Sequence, residues 1–453
     1  MIPPRPGSTA SATTLPRPQA TSRRDFLRQS TVAASALAFP LISRGAVLGA
    51  NSKLNIAGIG VGGKGWTDIT SCDSQNIVGL CDVDATRLAK AQEKYPRALA
   101  LADWRELLEK HGKSIDAVTV STPDHSHFPP ALAAIRLGKH VYCQKPLTHT
   151  VWEARQLTLS ARKARVATQM GNQGISHPRL QREAEIVRAG ACGKVREIHI
   201  WTDRPGNWWR QGLERGETKP VPSTLNWNLW LGVAPERPYA DGYHSFAWRG
   251  HWDFGTGALG DMGCHLMNLA ALVWPMGDPS RVEAESVGGT LESPPVASRV
   301  VWEFPETRQR GALKLVWYDG GRRAPSELFG GKITEPNGVL VIGDRDTLLT
   351  SYEGLGKFLS GAQVADFASA PSFLPKHDGW ERSHYEEWIA AAKGGPKPVS
   401  NFDVAGPVSE TILLGNVALR CGEKIRWNPT TLKADSAAAN ALVSKTYRPG
   451  FGV

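Results

Sequence analysis

The stretch Leu54-Asn-Ile-Ala-Gly-Ile-Gly60-Val-Gly62-Gly-Lys-Gly65 decides the fold of this chain. Its apolar first half predicts a β-strand, and Gly60, Gly62 and Gly65 fit the pattern G-x-G-x-x-G at the start of a helix. The pattern also fits two residues earlier, but that alternative places the tight turn inside the strand. Glycines at such a turn let the backbone approach a pyrophosphate at the helix N-terminus. The stretch therefore predicts a dinucleotide-binding turn.

A carboxylate after the second predicted strand supports this interpretation. Asp82 follows the apolar run 76–81 and lies twenty-two residues after Gly60. At that position a carboxylate accepts hydrogen bonds from the adenosine ribose hydroxyls and repels a 2′-phosphate. NAD is therefore the expected cofactor and NADP is less favoured, although the nearby Arg87 weakens that preference.

Short apolar runs alternate with helix-like segments after residue 52. This alternation predicts an α/β fold with an N-terminal, doubly wound parallel sheet of the Rossmann type. Residues 51–170 are the expected NAD-binding domain. The strands are expected at 54–59, 76–81, 117–121 and 140–143, and the helices at 66–71, 85–95 and 129–137.

The pattern changes from about residue 171. Alternating apolar residues at 195–202, 300–304 and 311–318 predict a large, open, mostly antiparallel sheet. We expect residues 171–453 to form a C-terminal domain that binds substrate and supports oligomerisation. The stretch 319–338 is expected to be a loop that acts as a lid.

The first fifty residues have the composition of a leader. Residues 1–21 are rich in Pro, Ser, Thr and Ala, and Ser22-Arg-Arg-Asp-Phe-Leu-Arg28 precedes a short apolar run at 31–42. This pattern resembles a twin-arginine export signal with cleavage near Ala50, and the run is too short to span a membrane. The predicted location is the periplasm. Because that route carries folded proteins, a cofactor can travel with the enzyme, and we expect it to be tightly held.

The net charge of +10 does not indicate a nucleic-acid partner. Six arginines and one aspartate within residues 1–50 supply half of it, and the remainder is spread along the chain without a basic block.

The six cysteines show no metal-binding spacing. We expect buried free thiols and no disulfide framework.

Polar loops follow two further predicted strands, at the sheet edge where ligands bind. The first contains Thr122, Pro123 and His127, and the second contains Gln144 and Lys145; we expect all five to contact the cofactor. The ammonium of Lys145 would also stabilise alkoxide character on a reacting oxygen. For His125, in the first of these loops, a purely structural role is equally expected.

The segment Asp261-Met-Gly-Cys-His265 follows a glycine-rich run and opens an apolar helix-like stretch. Residues four apart share a helix face, so the carboxylate and the imidazole are expected to point the same way. A carboxylate beside an imidazole fixes its tautomer and raises its basicity, which suits proton abstraction from an alcohol. A metal site is not expected, because nearby His244, His251 and Asp253 show no ligand spacing.

Taken in order, these residues resemble the Gfo/Idh/MocA family, named after glucose–fructose oxidoreductase, inositol dehydrogenase and a rhizopine-catabolism protein. The resemblance runs from about Lys53 to about Asn428, and it includes the tryptophan-rich features of an exported subgroup with twin-arginine signals. It implies that Lys145, Asp261 and His265 carry catalysis, with His265 as general acid/base and Asp261 orienting it or contacting substrate. It also implies a homodimer or homotetramer.

Gln144 departs from the family's usual Glu-Lys-Pro: it keeps the capacity for hydrogen bonds beside Lys145 but lacks the charge. Seven tryptophans lie between residues 201 and 252, and flat indoles stack on sugar rings. We expect a sugar, polyol or glycoside to be bound by a subset of these residues and one arginine: Trp208, Trp209, Arg249 and Trp252.

Three functions fit the sequence. The leading one is an NAD(P)-dependent oxidoreductase that acts on a carbohydrate hydroxyl. The second is an NAD-dependent glycosidase that works by transient oxidation at C3 and elimination, which the resemblance to exported relatives implies. The third is a sugar-binding protein with a vestigial nucleotide site, against which the intact Lys145, Asp261 and His265 argue.

Overall fold

The computed structural model describes residues 53–331, 335–376 and 379–452. The described residues belong to one compact unit. The predicted leader and twin-arginine pattern at 1–50 lie outside the described residues. Within the described ranges, no helix combines the length and the apolar composition needed to cross a bilayer.

The first sheet contains six parallel strands in the order β3-β2-β1-β4-β5-β6. The order reverses between β1 and β4, and this is where doubly wound sheets bind ligands. The strands are β1 Asn55–Ile59, β2 Asn76–Cys81, β3 Leu99–Leu101, β4 Ala117–Val120, β5 His140–Cys143 and β6 Thr168–Met170. The helices between them are α1 Lys64–Thr70, α2 Ala85–Lys94, α3 Trp104–His111, α4 Phe128–Arg136 and α5 Val151–Ala164.

Local sequence signals explain several of these helix boundaries. The side chains of Asp84 and Asp103 accept hydrogen bonds from backbone N–H groups in the first turns of α2 and α3. Thr150 and Glu153 form a capping box at the start of α5. These side chains satisfy N–H groups that a helix N-terminus otherwise leaves unpaired.

The second sheet contains nine strands in the order β13-β12-β11-β7-β10-β9-β8-β14-β15. All neighbouring pairs are antiparallel except β7 and β10, which run parallel. The predicted fold class is therefore confirmed. The strands are β7 Val195–Trp201, β8 Arg281–Val287, β9 Ala297–Phe304, β10 Leu313–Tyr318, β11 Gly338–Gly343, β12 Thr347–Thr350, β13 Lys357–Phe358, β14 Ile425–Asn428 and β15 Lys433–Ala434.

Helices cover one face of this second sheet and connect it to the first. Trp302 in β9 donates its indole N–H to the Thr411 carbonyl of the long helix α11, which fixes that helix against the sheet. The helices are α6 Pro178–Arg188, α7 Trp227–Leu231, α8 Gly257–Leu266, α9 Asn268–Val273, α10 Trp380–Ala392, α11 Phe402–Cys421 and α12 Ala437–Leu442.

An irregular segment, residues 224–254, lies against the nucleotide-binding edge of the first sheet; we call it the cover. Its first residues pair with the loop after β2, because the N–H of Ala85 donates to the Thr224 carbonyl and the N–H of Asn226 donates to the Val83 carbonyl, both at 2.9 Å. A buried aromatic cluster that includes Trp230 holds the rest of the cover together. This packing places an apolar wall opposite the glycine turn.

Candidate active site

The glycine turn has the conformation that its sequence predicts. Gly60 has a φ of +79°, and a side chain there would bring a Cβ to 2.7 Å from the Ser121 carbonyl oxygen. A Cβ at Gly65, inside α1, would lie 1.9 Å from the Gly60 carbonyl oxygen. Only glycine permits such close approach of strand, helix and backbone. The geometry favours the Gly60-Gly62-Gly65 assignment over the earlier alternative.

Asp82 stands at the end of β2 beside this turn. Its carboxylate accepts hydrogen bonds from the N–H groups of Val61 at 3.0 Å and Gly62 at 3.1 Å, and from that of Asp84 at 3.0 Å. Burial raises its pKa, while these N–H donors and Arg87 oppose the rise. The carboxylate is thus held rigidly at the cavity edge where ribose hydroxyls are expected.

A cavity of about 320 Å³ lies between the glycine turn and the cover. Its walls include nine of the sequence-predicted site residues: Gly60, Gly62, Asp82, Thr122, Pro123, His127, Gln144, Lys145 and Arg249. The other six lie outside this lining: Gly65, Trp208, Trp209, Trp252, Asp261 and His265. A larger, open groove of about 950 Å³ elsewhere on the chain includes none of the predicted residues.

Lys145 and Asp261 form a buried ion pair between the two sheets. Lys145, just after β5, donates from Nζ to Asp261 Oδ1 at 2.7 Å and to the Asp261 carbonyl at 2.9 Å. Arg249 Nε lies 3.2 Å from the same carboxylate, and Arg204 Nη1 lies 3.5 Å from its second oxygen. Burial alone would raise the pKa of Asp261, but Lys145 and Arg249 hold it below its usual range. The ionised carboxylate of Asp261 therefore lies close to three cationic side chains, those of Lys145, Arg204 and Arg249.

His265 lies one helical turn after Asp261 on α8, where surrounding protein encloses most of it and leaves it an intermediate exposure. Burial, followed by the charge of Lys145, lowers its pKa to about 3. The imidazole is neutral near pH 7 and able to accept a proton. The hydrogen bonds of the Asp261 carboxylate go to Lys145 and Arg249, so Asp261 acts on His265 through its charge. This corrects the expectation that the carboxylate fixes the tautomer of the imidazole.

Asp124 anchors the helix that carries Asp261 and His265. Its carboxylate accepts from the N–H of Thr256 at 3.1 Å and from the Thr256 hydroxyl at 2.6 Å, immediately before α8. Burial raises the pKa of Asp124 to about 6. The sequence argument did not select Asp124, although it lies in the same polar loop as Thr122 and Pro123.

Comparison with known proteins identifies the same two parts of the chain. Residues 54–172 match the family model described as an oxidoreductase family, NAD-binding Rossmann fold, and residues 181–288 match its companion, the C-terminal alpha/beta domain. The chain belongs to the Gfo/Idh/MocA oxidoreductase family. Together the two matches cover half of the sequence.

Family relatives include several carbohydrate enzymes. Levoglucosan dehydrogenase from Pseudarthrobacter phenanthrenivorans is 22% identical over 210 residues, which is 45% of this chain and 44% of that protein. A glycosyl hydrolase family 109 protein from Stenotrophomonas maltophilia is 28% identical over 230 residues, or 44% of this chain and 48% of that protein. Each match thus spans less than half of the relative's length.

Solved structures show the same fold. An inositol dehydrogenase homolog from Azotobacter vinelandii, complexed with NADH and myo-inositol, has a TM-score of 0.56 and 16% sequence identity. The alignment covers 84% of this chain and 100% of that one. At this identity the likeness shows the family fold alone.

The departure of this chain from the family's Glu-Lys-Pro pattern has a structural counterpart. Gln144 donates from Nε2 to both carboxylate oxygens of Asp68, at 3.0 and 2.9 Å. Asp68, fully buried in α1, also accepts from the hydroxyls of Ser121 and Tyr385, both at 2.6 Å. The carboxylate of Asp68 therefore lies beside Gln144. Asp68 is 76 residues earlier in the sequence, and this contact was not predicted.

The histidines of the first polar loop brace the structure. The ring nitrogens of His127 lie 2.7 Å from the Pro146 carbonyl and 2.8 Å from the Thr122 carbonyl. Those of His125 lie 3.3 and 3.0 Å from the carbonyls of Phe254 and Trp230 in the cover. Both ring nitrogens of His127 thus face backbone carbonyls, while the residue still lines the cavity, and its contact with a cofactor stays a prediction.

The three selected tryptophans occupy different environments. Trp209 and Trp252 are buried, which argues against the predicted stacking of a sugar on their faces. Trp208 is 56% exposed, and the guanidinium of Arg204 lies 3.6 Å from the centre of its ring. Because Arg204 also approaches Asp261, Trp208 remains a candidate substrate contact.

Within the described ranges, no group of three or more His, Cys, Asp or Glu side chains is arranged to hold a metal ion.

Proposed function

We propose that this protein is an NAD-dependent oxidoreductase that acts on a hydroxyl group of a sugar, polyol or glycoside. The observation that carries the proposal is the pairing of Lys145 with Asp261 at 2.7 Å beside the glycine-turn cavity, with His265 one helical turn away. An ammonium, a carboxylate and a neutral imidazole at one place supply the groups that alcohol oxidation needs.

The cavity suits a dinucleotide. Gly60 and Gly62 line the cavity, and a Cβ at these positions would collide with the Ser121 carbonyl and with the Arg87 side chain, so glycine keeps the turn tight enough to approach a pyrophosphate. Asp82 faces the same cavity, and its negative charge favours NAD over a 2′-phosphorylated cofactor. Arg87 lies beside it and moderates that preference. A bound nicotinamide would supply the hydride acceptor.

Side chains of the protein would accept the hydroxyl proton of the substrate and stabilise the charge that remains on the oxygen. Burial and Lys145 lower the pKa of His265, so its imidazole is neutral near pH 7 and would take up the hydroxyl proton as the hydride leaves. The Lys145 ammonium would donate a hydrogen bond to the reacting oxygen and stabilise its developing negative charge. Asp261 holds Lys145 in place through the two hydrogen bonds that it accepts from Nζ.

The substrate class is proposed from the site and from the relatives. Arg204, Arg249 and Asp261 present several hydrogen-bonding groups at the same place, as recognition of a polyhydroxylated substrate requires. The relatives include proteins named levoglucosan dehydrogenase and D-apiose dehydrogenase. A carbohydrate or cyclic polyol is the proposed substrate.

A second candidate is an NAD-dependent glycosidase, favoured by the 28% identity to a glycosyl hydrolase family 109 protein. In that reaction a sugar hydroxyl at C3 is oxidised transiently, which acidifies the C2 proton and permits loss of the C1 substituent. Water then adds, and the ketone is reduced back, so the cofactor undergoes no net change. His265 and Lys145 would serve both reactions.

Analysis of the natively purified protein separates these functions. Mass spectrometry of the denatured supernatant measures bound NAD(H), and a panel of sugars and glycosides is then tested for ketone formation and aglycone release. Ketosugar with NADH accumulation supports the oxidoreductase, whereas aglycone release without net NADH supports the glycosidase. Absence of dinucleotide, together with no tritium exchange between any sugar and added NAD, would contradict both and favour a sugar-binding protein.

We also propose that the protein is exported folded, by the twin-arginine route, to the periplasm, and that it assembles as a homodimer or homotetramer. The support is the Ser22–Arg28 pattern and the family resemblance. Fusion of residues 1–50 to a reporter tests export, with Arg23→Lys/Arg24→Lys expected to block it. Sedimentation of the purified protein tests assembly.

A further inference from the structure

Residues 444–452, which we call the strap, run from α12 across the dinucleotide cavity. We propose that the strap is part of the dinucleotide site: Phe451 forms the wall beside the adenine, and the strap latches the cover over the bound cofactor. This inference rests on the proposed use of a dinucleotide.

Phe451 lines the cavity at the end defined by Asp82, together with Ala102 and Trp104. Since Asp82 is placed to bind the adenosine ribose, the base attached to that ribose would lie next to Ala102, in the loop after β3, and Trp104, the first residue of α3. The Phe451 ring lines the cavity here and offers apolar carbon atoms to a purine. The position of Phe451 therefore fits an adenine contact.

Two arginines hold the ring of Phe451 in place. The guanidinium of Arg105 lies 4.5 Å from the ring centre, and that of Arg448 lies 4.2 Å from it. Arg105 also donates from Nη1 to the Gly450 carbonyl at 2.8 Å, which ties the strap to α3 of the first sheet. The ring is fixed before any ligand binds, and a fixed wall binds at lower entropic cost.

Arg448 connects the strap to the cover. Its Nε donates to the Gly232 carbonyl at 3.0 Å, its Nη1 donates to Asn228 Oδ1 at 2.8 Å, and its backbone N–H donates to the Val233 carbonyl at 3.3 Å. Gly232 and Val233 themselves line the cavity. The strap thus holds the part of the cover that faces the dinucleotide.

The start of the strap is anchored to buried groups of the nucleotide-binding part. Lys445 donates from Nζ to the His125 carbonyl at 3.1 Å, and it lies 3.3 Å from Glu153 Oε1. Tyr447 donates its hydroxyl proton to the same oxygen of Glu153, at 2.8 Å. Glu153 is fully buried in α5. One segment therefore bridges α3, α5 and the cover around a single cavity.

Slow release of the cofactor follows from this arrangement, because opening the cover requires the contacts of Arg448 and Phe451 to break. The test compares Phe451→Ala with a matched control, Phe373→Ala. Phe373 also packs under an arginine, Arg188, at 4.7 Å, but it lies outside the cavity lining. Arg448→Ala, which removes the latch and leaves the aromatic wall, is the second variant.

The measurement uses purified full-length protein loaded with NAD, then chased with excess ADP-ribose, and the NAD remaining on the protein is quantified over time. We expect dissociation to become about tenfold faster in Phe451→Ala and in Arg448→Ala, and to stay unchanged in Phe373→Ala. Equilibrium binding of ADP-ribose should weaken in Phe451→Ala, whereas that of nicotinamide mononucleotide should not.

Dissociation rates in both strap variants equal to that of Phe373→Ala would overturn the inference. Equal weakening of ADP-ribose and nicotinamide mononucleotide in Phe451→Ala would overturn the adenine contact. If the unmodified protein binds neither NAD nor ADP-ribose, the proposed function itself fails, which is a distinct result from a failure of the strap.

Discussion

Replacement of Asp261 by asparagine removes one negative charge from the centre of the candidate site and keeps the shape of the side chain. The carboxylate pairs with Lys145 at 2.7 Å and approaches Arg249 and Arg204 at 3.2 and 3.5 Å. All four side chains are at least four-fifths buried. Asp261→Asn therefore leaves the cationic groups of Lys145, Arg249 and Arg204 close together without the carboxylate that all three approach.

The expected cost can be estimated from these distances. At an effective dielectric constant of about 20, unit charges separated by the Lys145–Asp261 distance attract each other by roughly 6 kcal/mol, and desolvation cancels part of this. We expect Asp261→Asn to lower the free energy of unfolding by about 3 kcal/mol, in line with other broken buried pairs. Lys145→Met added to Asp261→Asn should remove one unpaired cation and recover about 2 kcal/mol.

Thermal unfolding of the four proteins in this double-mutant cycle is the assay. A loss of about 3 kcal/mol corresponds to a decrease in melting temperature of about 4 °C for a chain of this size. Hydride transfer to NAD should also slow by about 10²–10³ in Asp261→Asn, because the Lys145 ammonium loses its anchor. An unchanged melting temperature, or a coupling energy below about 0.5 kcal/mol, would refute the reasoning.

Three further predictions concern the cavity and its proton chemistry. His265→Ala should lower the hydride-transfer rate by about 10²–10⁴ while NAD affinity stays the same; a matching loss of affinity would contradict this. Because the pKa of His265 is lowered to about 3, the rate should persist from pH 7 to below pH 5, and an acidic limb near pH 6.5 would contradict a neutral base. Gly60→Ala should weaken NAD binding, measured by calorimetry, at least tenfold, and more than Gly63→Ala, which has a positive φ of +54° but no atom within 4 Å of the added Cβ.

The regular elements of the first sheet were predictable because each is a short apolar run followed by a turn. The runs at 54–59, 76–81, 117–121 and 140–143 agree with β1, β2, β4 and β5 to within one residue. The strands β3, Leu99–Leu101, and β6, Thr168–Met170, were not predicted, because three residues carry too little periodicity to distinguish a strand from a loop. The stretch 319–338 contains, among its described residues, the short 3₁₀ turn Ser326–Leu328, and its role as a lid stays a prediction.

The site was predictable where function depends on neighbours in sequence, and not where it depends on packing between distant segments. Spacing alone placed Asp261 and His265 on one helix, and strand ends placed Lys145 at the ligand-binding edge. The resemblance implied that Lys145 acts together with Asp261 and His265, but the direct ion pair was not predicted, because Lys145 lies 116 residues from Asp261 and reaches it through the packing of the two sheets. The strap, for the same reason, carried no signal in the sequence.

The hydrogen bond between Asp68 and Gln144 shows why the glutamine at the first position of the Glu-Lys-Pro motif has to be interpreted in its structural surroundings. The loss of a glutamate at position 144 suggested that Lys145 lacks a nearby negative charge. In the structure, Lys145 takes its own carboxylate from Asp261, and Gln144 is held by Asp68. A glutamate at position 144 would put two carboxylates within about 3 Å in a buried place, and like charges so close cannot both stay ionised. The amide of Gln144 therefore donates to Asp68 without bringing a second ionisable carboxyl into this part of the cavity wall.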